Sequence, residues 1–476
     1  MSQNNLHHES RRSHQVPRPS FVKSRRAVVA GAGIAGLTAA YRLQQAGWEV
    51  EVFEAEPRAG GRVETIVQRG YRIDTGATAF AARYPIATQL ARELSLRIVD
   101  TAPYLGVYRD GRIRLLRLDR LIRSGLRTDV LSLFTKVRLA RVVLDVALAS
   151  MRGMLSYEDL RAAAPLDTET ARDYLTRLAG TEADVYFGEP ITRALLLADS
   201  DKVSRVELMS GLVNAVAGRL STLAGGQGAI IDALLSRLRT VHLRSPVLSL
   251  TESDDGVRLK YRDPEGETKA LTADACVVAT PLPVAATICA PTRTSLGLLN
   301  DTLRFTQAIN VAIGTTRPAN TPAFLVQLPA AEDREVCMII VENNKAPDRA
   351  PAGHGLLSVC WEMSAAAAWM PRTDDELIAR SLETVLRLFP ELRDTVDFTY
   401  VRRWPIALPQ TRVGVYQQIA EFTSNLDPRS RIQFAGDYLS QTGQNTAVAW
   451  GNRAAANLHT HHGHRTPAQH EEFTHG

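Results

Sequence analysis

A glycine-rich turn near the start of the sequence constrains the fold more than any other feature. The apolar run AVVA (27–30) leads into Gly31, Gly33 and Gly36, and apolar side chains at helical spacing follow over residues 37–46. This order predicts a strand, a tight turn and a helix. Gly31 permits the turn, Gly33 lets the backbone approach a pyrophosphate, and Gly36 lets the helix lie close to the strand.

The helix and the strand that follows it extend this pattern. The backbone N–H groups at Ile34 and Ala35 face the phosphate position, where the helix dipole favours negative charge. A second strand, EVEVF (49–53), leads to Glu54, whose carboxylate can accept hydrogen bonds from both hydroxyls of a ribose, and Ala55 adjoins it. The pattern predicts dinucleotide binding. The acid disfavours a 2′-phosphate and therefore NADP, and it leaves NAD and FAD open.

Two adjacent glycines between two arginines come directly after this strand. The stretch FEAEPRAGGRVET (53–65) contains Arg58, Gly60, Gly61 and Arg62. This R-x-G-G-R signature resembles the FAD-dependent amine oxidoreductase superfamily, and NAD dehydrogenases do not share it. The resemblance implies FAD as the cofactor. It also implies that a second glycine turn at Gly61 approaches the pyrophosphate from the other side, while the Arg62 guanidinium neutralises it.

Further segments resemble the same superfamily. YRIDTGATAF (71–80) is similar to its loop beside the flavin, VHLRSPVLSL (241–250) to its adenine-binding segment, and RIQFAGDYL (431–439) to its ribityl-binding strand. The helix after Gly443 is similar to the one that begins at the flavin, where its N-terminus stabilises the negative charge of the reduced ring. The further cofactor contacts implied by the resemblance are Gly76, Ala77, Thr78, Ala79, Val247, Gly436, Asp437, Gln444, Asn445, Thr446 and Ala447.

The predicted fold is α/β, with a Rossmann-like (GR2-type) discontinuous FAD-binding domain and a mixed helix and antiparallel-sheet substrate domain. We expect residues 101–220 to be mostly helical and residues 305–362 to contain strands. The chain of 476 residues is long enough for both domains. The predicted ranges are 25–100, 221–288 and 402–459 for the FAD-binding domain, 101–220 and 289–401 for the substrate domain, and 1–24 and 460–476 for disordered tails.

The helical segment 131–151 is amphipathic and basic. Residues 109–152 hold eleven Lys and Arg against four Asp and Glu. Two interpretations stay open: a peripheral contact with an anionic membrane, or a solvated helical surface. The helix is expected to carry Arg138, Arg141 and Asp145 on one side and Val137, Leu144 and Leu148 on the other.

Within the superfamily, segments 131–144, 169–204 and 225–228 most resemble the protoporphyrinogen oxidase-like branch. The resemblance implies an enzyme that dehydrogenates a bulky, largely apolar substrate by hydride transfer to flavin N5. Amine oxidases of the superfamily carry a lysine near N5 and a tyrosine of an aromatic cage. Asn310 and Gly443 stand at those two places here, which disfavours an amine substrate.

Other candidates for the site are few. Trp404 resembles a tryptophan beside the flavin and is the one substrate-contacting residue that we predict. His242 and His354 are predicted to be structural or exposed, so no catalytic acid or base is assigned. The alternatives are a flavin amine or amino-acid oxidase, or a non-catalytic lipid-binding escort protein similar to the Rab GDP-dissociation inhibitors. The escort protein would carry a damaged cofactor site, which this sequence does not show.

Composition limits the remaining classes of partner. The net charge is +5 and the pI about 9.1, but much of the positive excess falls within 109–152, so no nucleic-acid partner is predicted. The four cysteines are scattered along the sequence without paired spacing, which is typical of free thiols in a reducing cytoplasm. The histidines of the C-terminal tail lack the fixed geometry of a metal site. We expect a cytoplasmic protein without metal, associated with a membrane only if the basic region binds one.

Overall fold

The computed structural model of the protein describes residues 24–81, 84–156, 159–216, 218–289 and 293–463. Strands and helices are numbered in chain order. Most of each predicted tail, at 1–23 and 464–476, lies outside the described residues. The last helix runs to His462, three residues beyond the predicted end of the FAD-binding domain at 459.

A parallel five-stranded sheet forms the centre of the cofactor-binding part, which confirms the predicted α/β fold class. Its strand order is β19-β13-β1-β2-β9. The inner strands β1 and β13 are buried on both faces, in keeping with their continuous apolar runs AVVA and ACVV. Its strands are β1 (Arg26–Ala30), β2 (Glu49–Phe53), β9 (Thr240–His242), β13 (Ala275–Val278) and β19 (Ile432–Phe434).

A seven-stranded sheet forms the second part, with the order β18-β14-β17-β16-β15-β6-β7. Its neighbours are antiparallel except for β6 and β15, which run parallel. Its last strand continues past the predicted domain boundary at 401. The strands are β6 (Tyr104–Arg109), β7 (Arg112–Arg117), β14 (Ala308–Thr315), β15 (Ala323–Gln327), β16 (Val336–Val341), β17 (Gly355–Trp361) and β18 (Val396–Trp404).

The segment 101–220 is mostly helical, as predicted, but it begins with a hairpin of β6 and β7. Asp110 and Gly111 make the turn, with φ of 53° and 74°. An Asp-Gly pair with positive φ at both residues is a strong hairpin signal, since its twist matches that of the strands. The strand RIRLLR (β7) pairs only with β6 and lies at the edge of the seven-stranded sheet.

Smaller sheets and the helices complete the fold. The other strands are β3 (Thr65–Gln68), β4 (Tyr71–Asp74), β5 (Ile98–Asp100), β8 (Ser221–Leu223), β10 (Val247–Ser253), β11 (Gly256–Arg262) and β12 (Thr268–Ala273). The helices are α1 (Ile34–Gln45), α2 (Pro85–Glu93), α3 (Leu121–Arg127), α4 (Leu133–Met151), α5 (Ala171–Ala179), α6 (Thr181–Ala183), α7 (Glu189–Leu196), α8 (Arg205–Val216), α9 (Ala229–Leu235), α10 (Leu282–Ile288), α11 (Arg293–Thr302), α12 (Glu342–Lys345), α13 (Met363–Trp369), α14 (Asp374–Leu388), α15 (Val415–Ser424) and α16 (Gln444–His462). Among the described residues, no helix is both long enough and apolar enough to cross a membrane.

A buried ionic cluster joins the two parts of the molecule. Asp74, at the end of β4, accepts from Lys345 Nζ at 3.0 Å and lies 3.3 Å from Arg349 Nη2. Glu342 lies 2.6 Å from the same ammonium group, and all four side chains are at most 1% exposed. Burial alone would raise the pKa of Asp74, but the two cations hold it below its ordinary value. The cluster fixes the loop that follows Asp74, which leads into the candidate site.

Helix α4 does not bury the face that the sequence suggested. Val137, Leu144 and Leu148, predicted as its apolar side, are 67%, 61% and 38% exposed. The buried residues form the opposite stripe and pack against the neighbouring helices: Thr135, Val142, Val146 and Ala149. Periodicity could not choose between them, because the helix carries apolar residues on both sides and packing decides which side is covered.

Candidate cofactor and substrate site

Two glycine turns meet at the start of α1. Gly60 N donates to Ala32 O at 2.8 Å, and Gly33 and Gly60 form an isolated bridge. A Cβ at Gly61 would lie 3.3 Å from the Cα of Gly33, whereas a Cβ at Gly33 would meet no atom within 4 Å. The second turn therefore packs on the first and leaves space beside Gly33.

This space lies at the N-terminus of α1, where Ile34, Ala35 and Gly36 begin the helix. No side chain caps this end of the helix. The first N–H groups of a helix have no intrahelical partner, and they favour an anion. A Cβ at Gly36 would lie 2.0 Å from Gly31 O, so only glycine allows this close turn. The end of α1 thus fits a phosphate group.

The end of β2 brings the predicted ribose and adenine contacts together. The Glu54 carboxylate accepts from Ala32 N at 2.7 Å and from Glu56 N at 3.0 Å. Ser245 N donates to Glu54 O at 2.6 Å, so the segment that leads to Val247 runs alongside. Ala55 is exposed at the end of the strand. These groups lie at the carboxyl edge of the parallel sheet, where such folds bind dinucleotides.

Arg62 and Asp437 form one unit rather than two separate cofactor contacts. The guanidinium is bidentate on the Asp437 carboxylate, with distances of 3.0 and 2.7 Å, and it also donates to Ala407 O at 2.6 Å. Asp437 follows Gly436 and is buried. The role of the Arg62 charge at the pyrophosphate stays a prediction, and in the structure the Asp437 carboxylate balances this charge. The ion pair ties the second glycine turn to the end of the last strand.

The loop after β4 lies between this ion pair and Trp404. Ala77 N donates to Arg62 O at 3.0 Å, and Trp404 Nε1 donates to Thr75 O at 2.8 Å. A Cβ at Gly76 would lie 2.1 Å from Arg62 O and 3.3 Å from the Trp404 ring. Trp404 thus holds the predicted flavin loop through its indole N–H, and Thr78 and Ala79 continue this loop.

The N-terminus of α16 reaches the same loop through the side chain of Gln444. Gln444 Nε2 lies 3.5 Å from Ala79 O, and its buried Oε1 has no hydrogen-bond partner among the described residues. The Asn445 side chain instead accepts from Ile86 N and Ala87 N at 3.0 and 3.1 Å, at the start of α2.

The Asn445 side chain thus caps α2, whereas the predicted contact of Asn445 with the flavin concerned its backbone N–H group. The N–H of Ala447 donates to Gly443 O at 3.1 Å within the helix. Thr446 is buried in the first turn of α16. The buried Oε1 atom of Gln444 can accept a hydrogen bond from a polar donor, and it suits the N–H edge of a flavin ring.

Sequence reasoning missed Tyr84, which lies against the turn before α16. A Cβ at Gly443 would lie 2.6 Å from the Tyr84 hydroxyl oxygen. Burial raises the pKa of Tyr84 well above its ordinary value, and the charges of Glu207 and Asp437 raise it further. Tyr84 is therefore a neutral phenol. Its sequence context, directly before Pro85, carries no signal of a site.

Glu207 was missed as well, although a lone acid in the apolar helix RVELMSGLVNAV could have indicated it. It is buried and accepts from Thr411 Oγ1 and Tyr416 Oη, both at 2.6 Å, and from Gln441 Nε2 at 3.1 Å. Burial raises the pKa of Glu207 in spite of these three donors. The cluster supports the Gln441–Gly443 turn, from which α16 begins.

The remaining candidates lie where a structural role is sufficient. His242 contacts Glu51 at 3.0 Å and stacks on Phe53, and His354 lies 3.6 Å from Asp397. Asn310 is buried in β14, and its Nδ2 lies 3.7 Å from Cys360 Sγ. Asn310, Cys360 and Trp404 share one face of the seven-stranded sheet, because their strands pair Asn310 with Cys360 and Trp404 with Ala308.

These features define an α/β dinucleotide-binding protein with a second sheet set against the cofactor loop. The family profile described as flavin containing amine oxidoreductase matches residues 34–459. The chain therefore belongs to the flavin-containing amine oxidoreductase family, and it is an FAD-dependent oxidoreductase.

Three comparisons describe its relatives. The coproporphyrinogen III oxidase of Mycobacterium tuberculosis (strain ATCC 25618 / H37Rv) is 27% identical over 454 residues, which cover 90% of this chain and 96% of that protein. The L-amino-acid oxidase of Demansia vestigiata is 23% identical and covers 88% and 83%. The structure of cyclohexylamine oxidase from Brevibacterium oxydans IH-35A has a TM-score of 0.72, with 20% identity and coverage of 91% and 98%. This structural likeness concerns the fold alone.

Proposed function

We propose that the protein oxidises a porphyrinogen, a bulky macrocycle with a largely apolar ring system, by hydride transfer to FAD. Formation of the porphyrin removes six electrons, so it takes three such two-electron steps, with oxygen reoxidising FAD after each. The relative in Mycobacterium tuberculosis supports this proposal, because it is named for a porphyrinogen and matches nearly the whole chain. The proposal concerns the substrate class. Identity of 27% fixes the chemistry of a family better than it fixes the substrate.

One structural observation carries the proposal. The two positions at which amine oxidases of this family place a lysine and an aromatic cage residue are Asn310 and Gly443 here. Asn310 is buried, contacts Cys360 Sγ at 3.7 Å and pairs across the sheet with Arg402, so no lysine stands at this position. At Gly443 a Cβ would lie 2.6 Å from the Tyr84 hydroxyl oxygen, so the Tyr84 side chain occupies this place. A cationic amine would thus lose both of its usual contacts, whereas an apolar macrocycle does not need them.

The residues of this chain would divide the work as follows. FAD supplies the two-electron acceptor for the hydride. The N–H groups at the start of α1 and the Glu54 carboxylate would hold its phosphates and ribose. The N-terminus of α16 would stabilise negative charge on the ring edge. Tyr84, as a neutral phenol, can donate a hydrogen bond beside Gly443. Trp404, with the Arg402 guanidinium 4.3 Å from its ring centre, would hold the flavin loop through its indole N–H.

A product assay tests the substrate class. The purified protein, in air, is offered coproporphyrinogen III, protoporphyrinogen IX and a panel of amines and amino acids. Porphyrin fluorescence should appear faster than in a matched reaction without protein, and the amine panel should release no peroxide. If only amines release peroxide and neither porphyrinogen is oxidised above the background rate, the proposal is wrong.

An amine or amino-acid oxidase is the second candidate, supported by the relative from Demansia vestigiata. It makes the opposite prediction in the same assay, because peroxide would then appear with an amine or amino acid. We further propose a cytoplasmic location. Its support is that Cys276, Cys289, Cys337 and Cys360 are buried free thiols. Cell fractionation with periplasmic and cytoplasmic marker enzymes tests this location.

A further inference from the structure

Helices α3 and α4 present a large apolar surface to solvent. Eight of its side chains are between 61% and 78% exposed. They are Ile122, Leu126, Leu133, Phe134, Val137, Val143, Leu144 and Met151, and we call them the apolar stripe. A soluble surface rarely leaves so many large apolar side chains uncovered together, and such patches mark sites of interaction.

The apolar stripe is not the side of α4 that packs into the core. Helix α4 buries its other side, through Val142, Val146 and Ala149, against the helical core that includes Tyr174 and Leu175. Leu133, Val137, Leu144 and Met151 lie on the opposite side, at spacings that keep them on one line along the helix. The helix is therefore packed in place, and its exposed apolar side remains available.

Positive charge surrounds the apolar stripe. The carboxylates of this region already have partners: Asp110 and Asp129 contact Arg114, Asp119 contacts Arg117, and Asp145 accepts from Tyr174 Oη. Within the described ranges, the exposed Arg123, Arg127, Arg141 and Arg152 form no ion pair. The surface thus combines apolar side chains with uncompensated guanidinium groups.

We infer that the apolar stripe and its arginines form a docking surface for an anionic lipid membrane. Apolar side chains enter the boundary between headgroups and acyl chains, and arginines around them bind anionic headgroups. A second copy of this chain is a poorer occupant, because a two-fold interface would bring the same arginines face to face. This inference does not depend on the identity of the substrate.

Vesicle sedimentation tests the inference with the full-length holoprotein. The vesicles contain phosphatidylcholine alone, or phosphatidylcholine with phosphatidylglycerol at a ratio of about three to one. We expect binding to the anionic vesicles, weaker binding to the neutral ones, and a decrease as salt screens the arginines. No binding of the wild-type protein to anionic vesicles at low salt would overturn the inference.

Matched variants separate the surface from general effects. The triple variant Phe134→Ser, Val137→Ser, Leu144→Ser should lose about tenfold in vesicle affinity. The control Val67→Ser, Leu298→Ser removes similarly exposed apolar side chains elsewhere and should change it by less than about twofold. Equal losses in both variants would contradict the inference.

A second pair of variants tests the charges. Arg123→Glu, Arg127→Glu should abolish the preference for anionic vesicles, whereas Arg258→Glu, Lys260→Glu, with the same change in net charge on β11, should keep it. All variants should retain FAD and flavin reduction in solution, since they change exposed residues. If the triple variant instead removes a concentration-dependent dimer and the wild-type protein binds no vesicles, the surface is a self-association site and the inference fails.

Discussion

The cofactor-binding interior and the α3–α4 surface use apolar residues in opposite ways. Around the glycine turns, apolar strands are covered on both faces, and backbone groups make the close contacts, as in the bond from Gly60 N to Ala32 O. On α4, one apolar side is buried and the other faces solvent. The interior is thus packed around the place of a fixed cofactor, whereas the exposed side of α4 is the surface that we propose to dock on a membrane.

The largest effect on stability should come from the buried ionic cluster around Lys345. Lys345→Met leaves Asp74 and Glu342 buried without their ammonium partner, and we expect a loss of about 3–5 kcal/mol in the free energy of unfolding. The control Arg372→Met breaks an exposed pair with Glu376 and should cost less than about 1 kcal/mol. Chemical denaturation measures the free energy of unfolding of both variants. Equal losses would contradict the stabilising role of the buried cluster.

A smaller but more local effect is expected at the flavin loop. Gly76→Ala places a Cβ about 2.1 Å from Arg62 O, so the loop must shift. We expect a cost of about 1–3 kcal/mol and weaker retention of FAD during dialysis. The control Gly297→Ala on α11 meets no atom within 4 Å and should leave both unchanged or slightly improve stability. Unchanged FAD retention in Gly76→Ala would place the flavin elsewhere.

Arg62 offers a test at the same site that keeps the charge. Arg62→Lys preserves a cation but loses the bidentate contact with Asp437, and we expect about a tenfold loss in FAD affinity. The control Arg25→Lys changes an arginine that contacts Asp274 beside the same parallel sheet, and it should have no such effect. Isothermal titration of the apoprotein with FAD compares the affinities of the two variants. Equal FAD affinities would show that Arg62 is not part of the cofactor site.

The smallest effect should appear at the start of α4, and it should depend on pH. Burial opposes the charge of Glu182, but hydrogen bonds from Ser132, Thr135 and Arg109 lower its pKa to about 2. The ionised side chain therefore stabilises the fold above pH 4.5, its ordinary pKa, and this contribution fades as the pH falls toward 2. Glu182→Gln should cost about 1 kcal/mol at neutral pH, since the group is partly exposed.

Thermal unfolding across pH measures this contribution. The difference in unfolding temperature between the wild-type protein and Glu182→Gln should be largest above pH 4.5 and should decrease in acid. Glu383→Gln, an exposed carboxylate on α14, serves as the control and should show little gap at any pH. A gap for Glu182→Gln that grows as the pH falls would contradict the assigned ionisation state.

The cofactor end of the site could be predicted from sequence because its chemistry depends on local order. Gly33, Gly61 and Glu54 each stand at a fixed distance along the chain from a strand or helix end. The contacts between distant segments could not be predicted in this way. The pairing of Arg62 with Asp437, the placement of Tyr84 against Gly443, and the choice of buried face on α4 all depend on tertiary packing, which leaves no periodic signal.

Anaerobic flavin reduction tests the central claim most directly, because it observes the cofactor and the substrate in one step. The oxidised holoprotein is mixed without oxygen with coproporphyrinogen III, protoporphyrinogen IX or an amine, and the visible flavin absorbance is followed. We predict that a porphyrinogen bleaches the flavin at least about tenfold faster than any amine. A flavin that is bleached fastest by an amine, or that no porphyrinogen reduces, would contradict the account.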